Sequence, residues 1–143
     1  MNDGADQIRE RLERYQSALG RALENGLLKA GETLQRESQG RVPVDTGHLK
    51  ASAFTRLDGA GLNSNVLVGY TADYALFVHE AVGMKLKGQP RVRGTRPGGK
   101  GWRGRYWDPQ GRAQPKFLEG PAYELRGTMF GIIQRELDRV RML

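Results

Sequence analysis

The sequence predicts a mixed α/β fold of the α+β kind, in which a small, mainly antiparallel β-sheet is flanked by helices. Three observations predict it. Apolar residues step by threes and fours from Ile8 to Leu34 and again from Leu125 to Val140, the period of helices with one buried stripe. Between them, two short runs of strand-forming residues are joined by a segment rich in Gly, Asn and Asp. A stretch of Gly, Pro, Arg and Trp with neither period separates the sheet from the last helix. The chain has 143 residues and a mass of 15.9 kDa, which fits one domain spanning 1–143.

The first helix, residues 1–40, carries Ile8, Leu12, Tyr15, Leu19, Leu23, Leu27, Ala30 and Leu34 on one stripe. Asn2 or Asp3 can accept the first free N–H groups, and Asp6 suits the positive end of the helix dipole. Glu10 with Arg14 and Glu32 with Arg36 stand four apart as favourable pairs, and Gly40 ahead of Pro43 should end the helix. About 35 residues at about 1.5 Å each reach about 50 Å, against about 40 Å for the diameter of a compact domain of this size. The helix therefore projects or bends. Gly20, Gly26 and Gly31 are places where it could bend, and the long stripe either packs against another chain or, as a broken helix, folds onto its own sheet.

Past Val42-Pro43-Val44, Asp45 or Thr46 can cap a short helical turn through Gly47, His48, Leu49 and Lys50. Residues 51–57 (ASAFTRL) and 66–71 (VLVGYT) read as the two strands of a hairpin. A short middle helix runs from Asp73 through Tyr74, Ala75, Leu76, Phe77, Val78, His79 and Glu80, and its apolar majority predicts burial. Lys116-Phe117-Leu118 reads as a short strand. Gly120-Pro121 opens the last helix, with Pro at its first position, a buried stripe of Leu125, Met129, Ile132, Ile133, Leu137 and Val140, and Arg135, Arg139 and Arg141 at its negative end.

Charge is unevenly distributed. The net charge is +7, but residues 81–116 hold ten Lys or Arg against the single acid Asp108, a net of +9, so the rest carries −2. That inserted segment also holds eight of the 20 glycines, four of the six prolines and both tryptophans. Arg91, Arg93, Arg96, Arg103 and Arg105 interleave with Trp102, Tyr106 and Trp107. Such an arm suits docking to another protein, since Arg and Trp concentrate at interface hot spots. Docking is the favoured reading, ahead of phosphate contact with base stacking on nucleic acid and of a solvated loop. The residues alone leave the three open.

Catalytic chemistry finds little support. With no Cys, a disulfide framework, a thiolate metal site and a cysteine nucleophile are excluded. His79-Glu80 begins like the zinc-protease helix motif, but Gly83 stands where the second His belongs. Gly98-Gly99-Lys100-Gly101 lacks the leading Gly and the trailing Ser or Thr of a phosphate loop. His48 and His79 could form an acid–base pair only if the fold joined them, and a structural role suits each better. The expectation is no enzyme, no metal, no cofactor and no catalytic residue. The charged N-terminus lacks a signal peptide's apolar stretch, and no run approaches the roughly 18 apolar residues of a spanning helix, so synthesis in a cytoplasm and no membrane partner are expected.

Val42-Pro43-Val44-Asp45-Thr46-Gly47-His48-Leu49-Lys50 begins a familiar succession. It continues through the Gly-rich hairpin, Val68-Gly69-Tyr70, Tyr74 to Glu80, and Pro115-Lys116-Phe117-Leu118 leading through Pro121-Ala122 into a last helix. From Val42 to the C-terminus this order resembles the tail-completion proteins of tailed bacteriophages, also called neck, head-to-tail joining or minor capsid proteins. The resemblance implies a non-catalytic virion subunit made in the host cytoplasm. It implies copies, usually six, forming a ring that joins head and tail around the DNA channel, with adjoining neck or tail proteins as partners and genome DNA passing through. It further implies that Pro43, Asp45, Thr46 and Gly47 fix the corner between helix and sheet. Leu49 would enter the core, Tyr74, Ala75 and Val78 would pack the short helix ahead of Glu80, and Phe117 and Leu118 would close the core. Relatives have a short connection with Gly-Thr after the Glu80 position, where this chain carries its basic arm. The alternative is a small DNA-binding protein that sets the arm 81–116 on phosphates.

Overall fold

The computed structural model describes residues 3–44, 46–81 and 112–141. Asp45 and the arm residues Arg91, Arg93, Arg96, Trp102, Arg103, Arg105, Tyr106 and Trp107 lie outside the described residues. The fold is α+β and mostly helical. Its order is α1 (Asp3–Arg41), α2 (His48–Ala51), β1 (Ala53–Asp58), a 3₁₀ turn (Gly61–Asn63), β2 (Asn65–Tyr70), α3 (Ala75–Glu80), α4 (Glu119–Glu124) and α5 (Arg126–Arg141). The strands β1 and β2 form an antiparallel two-stranded sheet. The described chain falls into two compact units.

The first unit comprises Met1–Thr33, Thr55–Val68 and Leu125–Leu143. Helix α1 is continuous over its 39 residues, with no break in its helical assignment at Gly20, Gly26 or Gly31. These glycines mark close approaches instead. A Cβ on Gly26 would come within 2.9 Å of the Ile133 Cα, and one on Gly20 within 2.8 Å of the Gly61 Cα. Gly31 sits under the hairpin, where a Cβ would meet the methyls of Val66 at 2.7 Å and Thr55 at 2.8 Å. Each glycine costs helix propensity of about 1 kcal/mol, and here that cost is offset by dispersion contacts across a surface without side chains. The hairpin turn needs glycine for a different reason: Gly59 and Gly61 hold φ of 80° and 58°, the left-handed region. Glu24 accepts the Gly61 N–H at 2.5 Å and secures this turn to the helix. From Asp3 to Ser17 every residue of α1 is exposed, so the stripe predicted from Ile8 onward is covered only from Leu19.

The second unit comprises Leu34–Phe54 and Gly69–Glu124. Its core is Val42, Leu49, Ala72, Val78 and Phe117, with Tyr70, Ala75 and Leu118 packed against it. Leu49 and Phe117 thus occupy the core, and Pro43 is buried beside Val42. The N-cap of α2 is Gly47 at φ 85° with no side-chain cap, contrary to a cap from Thr46, while the cap expected from Asp45 lies outside the described residues. Thr46 Oγ1 instead accepts the His48 N–H two residues on, at 3.3 Å, a local turn that competes with helix capping.

Three further expectations need correction. Residues Lys116–Leu118 form a turn, not a strand, because Lys116 takes φ 55°, which no strand accommodates. The last helix is two helices: α4 begins at Glu119, so Pro121 is its third residue, and a turn at Leu125 separates it from α5. Helix α3 is not buried as a whole. It is one and a half turns long, its inner face runs through Ala75, Val78 and His79, and Leu76 and Phe77 are left 73% and 70% exposed. Tyr74 is likewise exposed, with its ring tilted against that of His48 at 6.1 Å between centroids.

Candidate interaction site

In the second unit, the chain on either side of residues 82–111 is fastened together. His79 accepts the Lys116 N–H at its carbonyl, 2.7 Å away. The Lys116 ammonium reaches Glu80 at 2.6 Å and Glu119 at 2.9 Å. Arg112 pairs with Glu37, and Gln114 donates its N–H to the Arg41 carbonyl at 3.1 Å. Arg41 in turn holds Glu37 at 3.0 Å and Glu124 at 2.5 Å. A left-handed lysine costs roughly 1 kcal/mol or more in backbone energy. That conformation is what lets its N–H and its ammonium serve the two sides of the root at once.

His79, Glu80 and Glu119 place three ligand-type atoms within 4.8 Å of one another, the spacing of a metal site. The donor set is already engaged. The Glu119 N–H is directed at His79 Nε2, 3.3 Å away, so Nε2 carries the lone pair and Nδ1 the proton. Nδ1 then donates to Glu80 at 2.7 Å, and the Lys116 ammonium bridges both carboxylates. A divalent cation would have to expel that ammonium and take the Nε2 lone pair from a backbone donor. The arrangement therefore fits a structural latch and does not fit a resident metal. Phe117 packs edge-on to both His79 and Tyr70, at 5.0 and 5.1 Å between centroids, tying the latch to the core.

The titration of these groups follows from their partners. Glu80 is held below the usual carboxylate range chiefly by Lys116, then by His79, and Glu124 chiefly by Arg41. In the first unit Glu136, on the buried face of α5, is also held low, first by Lys29 at 2.6 Å and then by Arg139. A depressed folded pKa stabilises the fold above the unfolded value of about 4.3 and loses that contribution as pH falls through the folded value. Chemical-denaturation midpoints should therefore fall below about pH 4, and Lys116→Met with Arg41→Met should flatten that acid limb.

Tyr70 is shifted the opposite way. Burial pushes its phenol up to about 12, with Ser38 at 2.6 Å opposing. A raised pKa means the native state keeps its proton longer, so this contribution is present below the unfolded value of about 10 and is lost as pH rises toward about 12. The tyrosinate absorbance difference between wild type and Tyr70→Phe should accordingly appear late, near pH 12.

Sequence reading missed Glu136, whose place on the inner face of α5 is disguised by a stripe that reads as apolar without it. It also missed the latch, whose members come from three segments. His48 and His79 are given different partners, Tyr74 and Phe117, and nothing pairs them. Among the described residues an open depression on the first unit, around Gly20, Glu24 and Gly61, has its carboxylate occupied by the Gly61 N–H and the Ser64 hydroxyl. No described helix is long and apolar enough to cross a membrane. Comparison with models of known families, with curated proteins and with solved structures found no match.

Proposed function

We propose that the protein is a structural virion subunit of the phage neck or the head-proximal end of the tail. Its copies form a ring, of six by resemblance, that joins head and tail around the DNA channel and adjoins other neck or tail proteins. The observation that carries this reading is that the residues bearing the resemblance share one core: Val42, Leu49, Tyr70, Ala75, Val78, Phe117 and Leu118. Residues dispersed over 77 positions of sequence (42 to 118) pack together, as a motif succession that encodes one unit requires. The role asks for no catalytic residue, metal or cofactor. The basic arm is the element assigned to a neighbouring subunit or ring, and its root is latched so that the body folds without it.

The test is deletion of residues 92–110. The body should remain folded, with an unchanged denaturation midpoint, while particles complemented with the deletion protein fail to join heads to tails. Normal particles from that protein would refute the arm's role.

The local charge of +9 favours a second reading, DNA binding by the arm. Binding through phosphates releases counterions, so affinity would fall steeply with salt, by about 10³-fold or more between 50 and 200 mM if six or more phosphates are contacted. Absence of binding to duplex or single-stranded DNA at about 50 mM salt decides against it.

A further inference from the structure

Two exposed apolar patches have complementary charged borders. On α1, Ile8, Leu12 and Tyr15 are 61%, 63% and 50% exposed, and they lie on one line of the helix. At about 100° per residue, Arg9 and Arg11 flank that line on its two sides, whereas Asp3, Asp6, Glu10 and Glu13 all fall on the opposite half. Among the described residues Arg9 pairs with Asp6 alone, at 3.8 Å and with both side chains exposed, and Arg11 makes no ion pair. The stripe is thus apolar with basic edges. On α3, Leu76 and Phe77 stand between Asp73 and Glu80, with Glu119 fastened to Glu80 through Lys116. Counting Asp73, Glu80, Glu119 and Lys116, this rim carries −2, an apolar knob with acidic edges.

We infer that the bare stripe of α1 docks on the Leu76–Phe77 knob of a second copy of this chain. Other occupants of the stripe meet unfavourable charge. Stripe against stripe brings arginine borders together, and like charges facing each other are destabilising. The chain's own residues 82–111 carry +7 and are repelled by the same borders. A membrane surface of anionic lipid is opposed by four acids on the helix's outer half, where interfacial helices carry Lys and Arg. Acidic edges around an apolar centre are what the stripe requires, and α3 provides them.

Because the two patches differ, the contact is head-to-tail, the kind that builds a ring when its rotation closes and a filament when it does not. The inference rests on the ring reading and names the surfaces that would build it. From Ile8 to Tyr15 the stripe is only about 10 Å long, so each contact is weak by itself and gains its strength from closure of the ring. Sequence continuity also explains how so exposed a helix forms: an isolated segment of this length is marginal in water, but this one extends from a half already nucleated by packing.

The experiment uses the full chain with Leu12→Glu and Leu76→Glu, both at exposed positions, with circular dichroism verifying that each folds. Wild type should self-associate in sedimentation velocity as concentration rises from micromolar to millimolar. Each variant should be monomeric, its association weakened about 30-fold or more, as for loss of a hot spot. An equimolar mixture should form dimers and stop there, since each variant retains one competent patch. Arg11→Glu should weaken association in the same direction. A wild type that stays monomeric overturns the proposal, as does a mixture that grows beyond dimers or association abolished by one variant alone. Wild-type rings unaffected by either variant overturn this docking while leaving the ring reading intact.

Discussion

Phe117→Ala should cost about 3–5 kcal/mol and lower the melting temperature by about 10–20 °C. The side chain is 1% exposed and is the largest of the fully buried ones. Its ring touches Tyr70 and His79 edge-on, so truncation removes burial, leaves a cavity and ends two aromatic contacts. The surroundings have little freedom to collapse into that space. Tyr70 is anchored by Ser38, and His79 is fixed by Glu80 and the Glu119 N–H. Phe130→Ala is the internal comparison: at 68% exposure its loss should stay within about 0.5 kcal/mol. Equal effects of the two substitutions, followed by thermal denaturation, would show that the second unit's core is not organised around Phe117.

The contrast between these two phenylalanines shows where sequence was informative. Helical period located α1 and α5 because a long run of apolar residues averages out individual exceptions. The hairpin was found within two residues at each boundary, since its turn needs residues tolerant of positive φ and the chain supplies Gly59 and Gly61. Short segments were harder. Lys116-Phe117-Leu118 has strand-like composition, yet the latch contacts of Lys116 with His79, Glu80 and Glu119 hold it in a left-handed turn. In α3 the apolar residues outnumber the places one and a half helical turns can bury, and composition cannot say which are left out. Leu76 and Phe77 are left out, and a reading based on hydrophobic count alone conceals the most exposed apolar patch of the second unit. The charge division between arm and body was legible because it needs only counting. The borders of the α1 stripe needed a direction for each side chain, which periodicity supplies only once the helix is known to be unbroken.

Gly26→Leu should be among the most damaging changes in α1, costing about 3 kcal/mol or more and lowering the melting temperature by about 10 °C. Read from sequence, a helical glycine is a weak point, and replacing it should gain up to about 1 kcal/mol of propensity. At Gly26 the added Cβ would lie 2.9 Å from the Ile133 Cα and 3.4 Å from the Ile133 carbonyl oxygen. These are backbone atoms within a helix, which cannot rotate away as a side-chain tip does. The remaining atoms of a leucine would therefore force α5 off α1 and strain the Lys29–Glu136 pair, leaving a buried carboxylate short of its partner. Gly127 supplies the matched control, because a Cβ there meets nothing within 4 Å. Gly127→Ala should stabilise by about 0.5–1 kcal/mol, through the unfolded chain's lost freedom and the helix's improved propensity. Opposite signs at two helical glycines, measured by denaturant titration, separate close approach from mere flexibility; a stabilising Gly26→Leu would mean that α1 and α5 are not packed backbone to backbone.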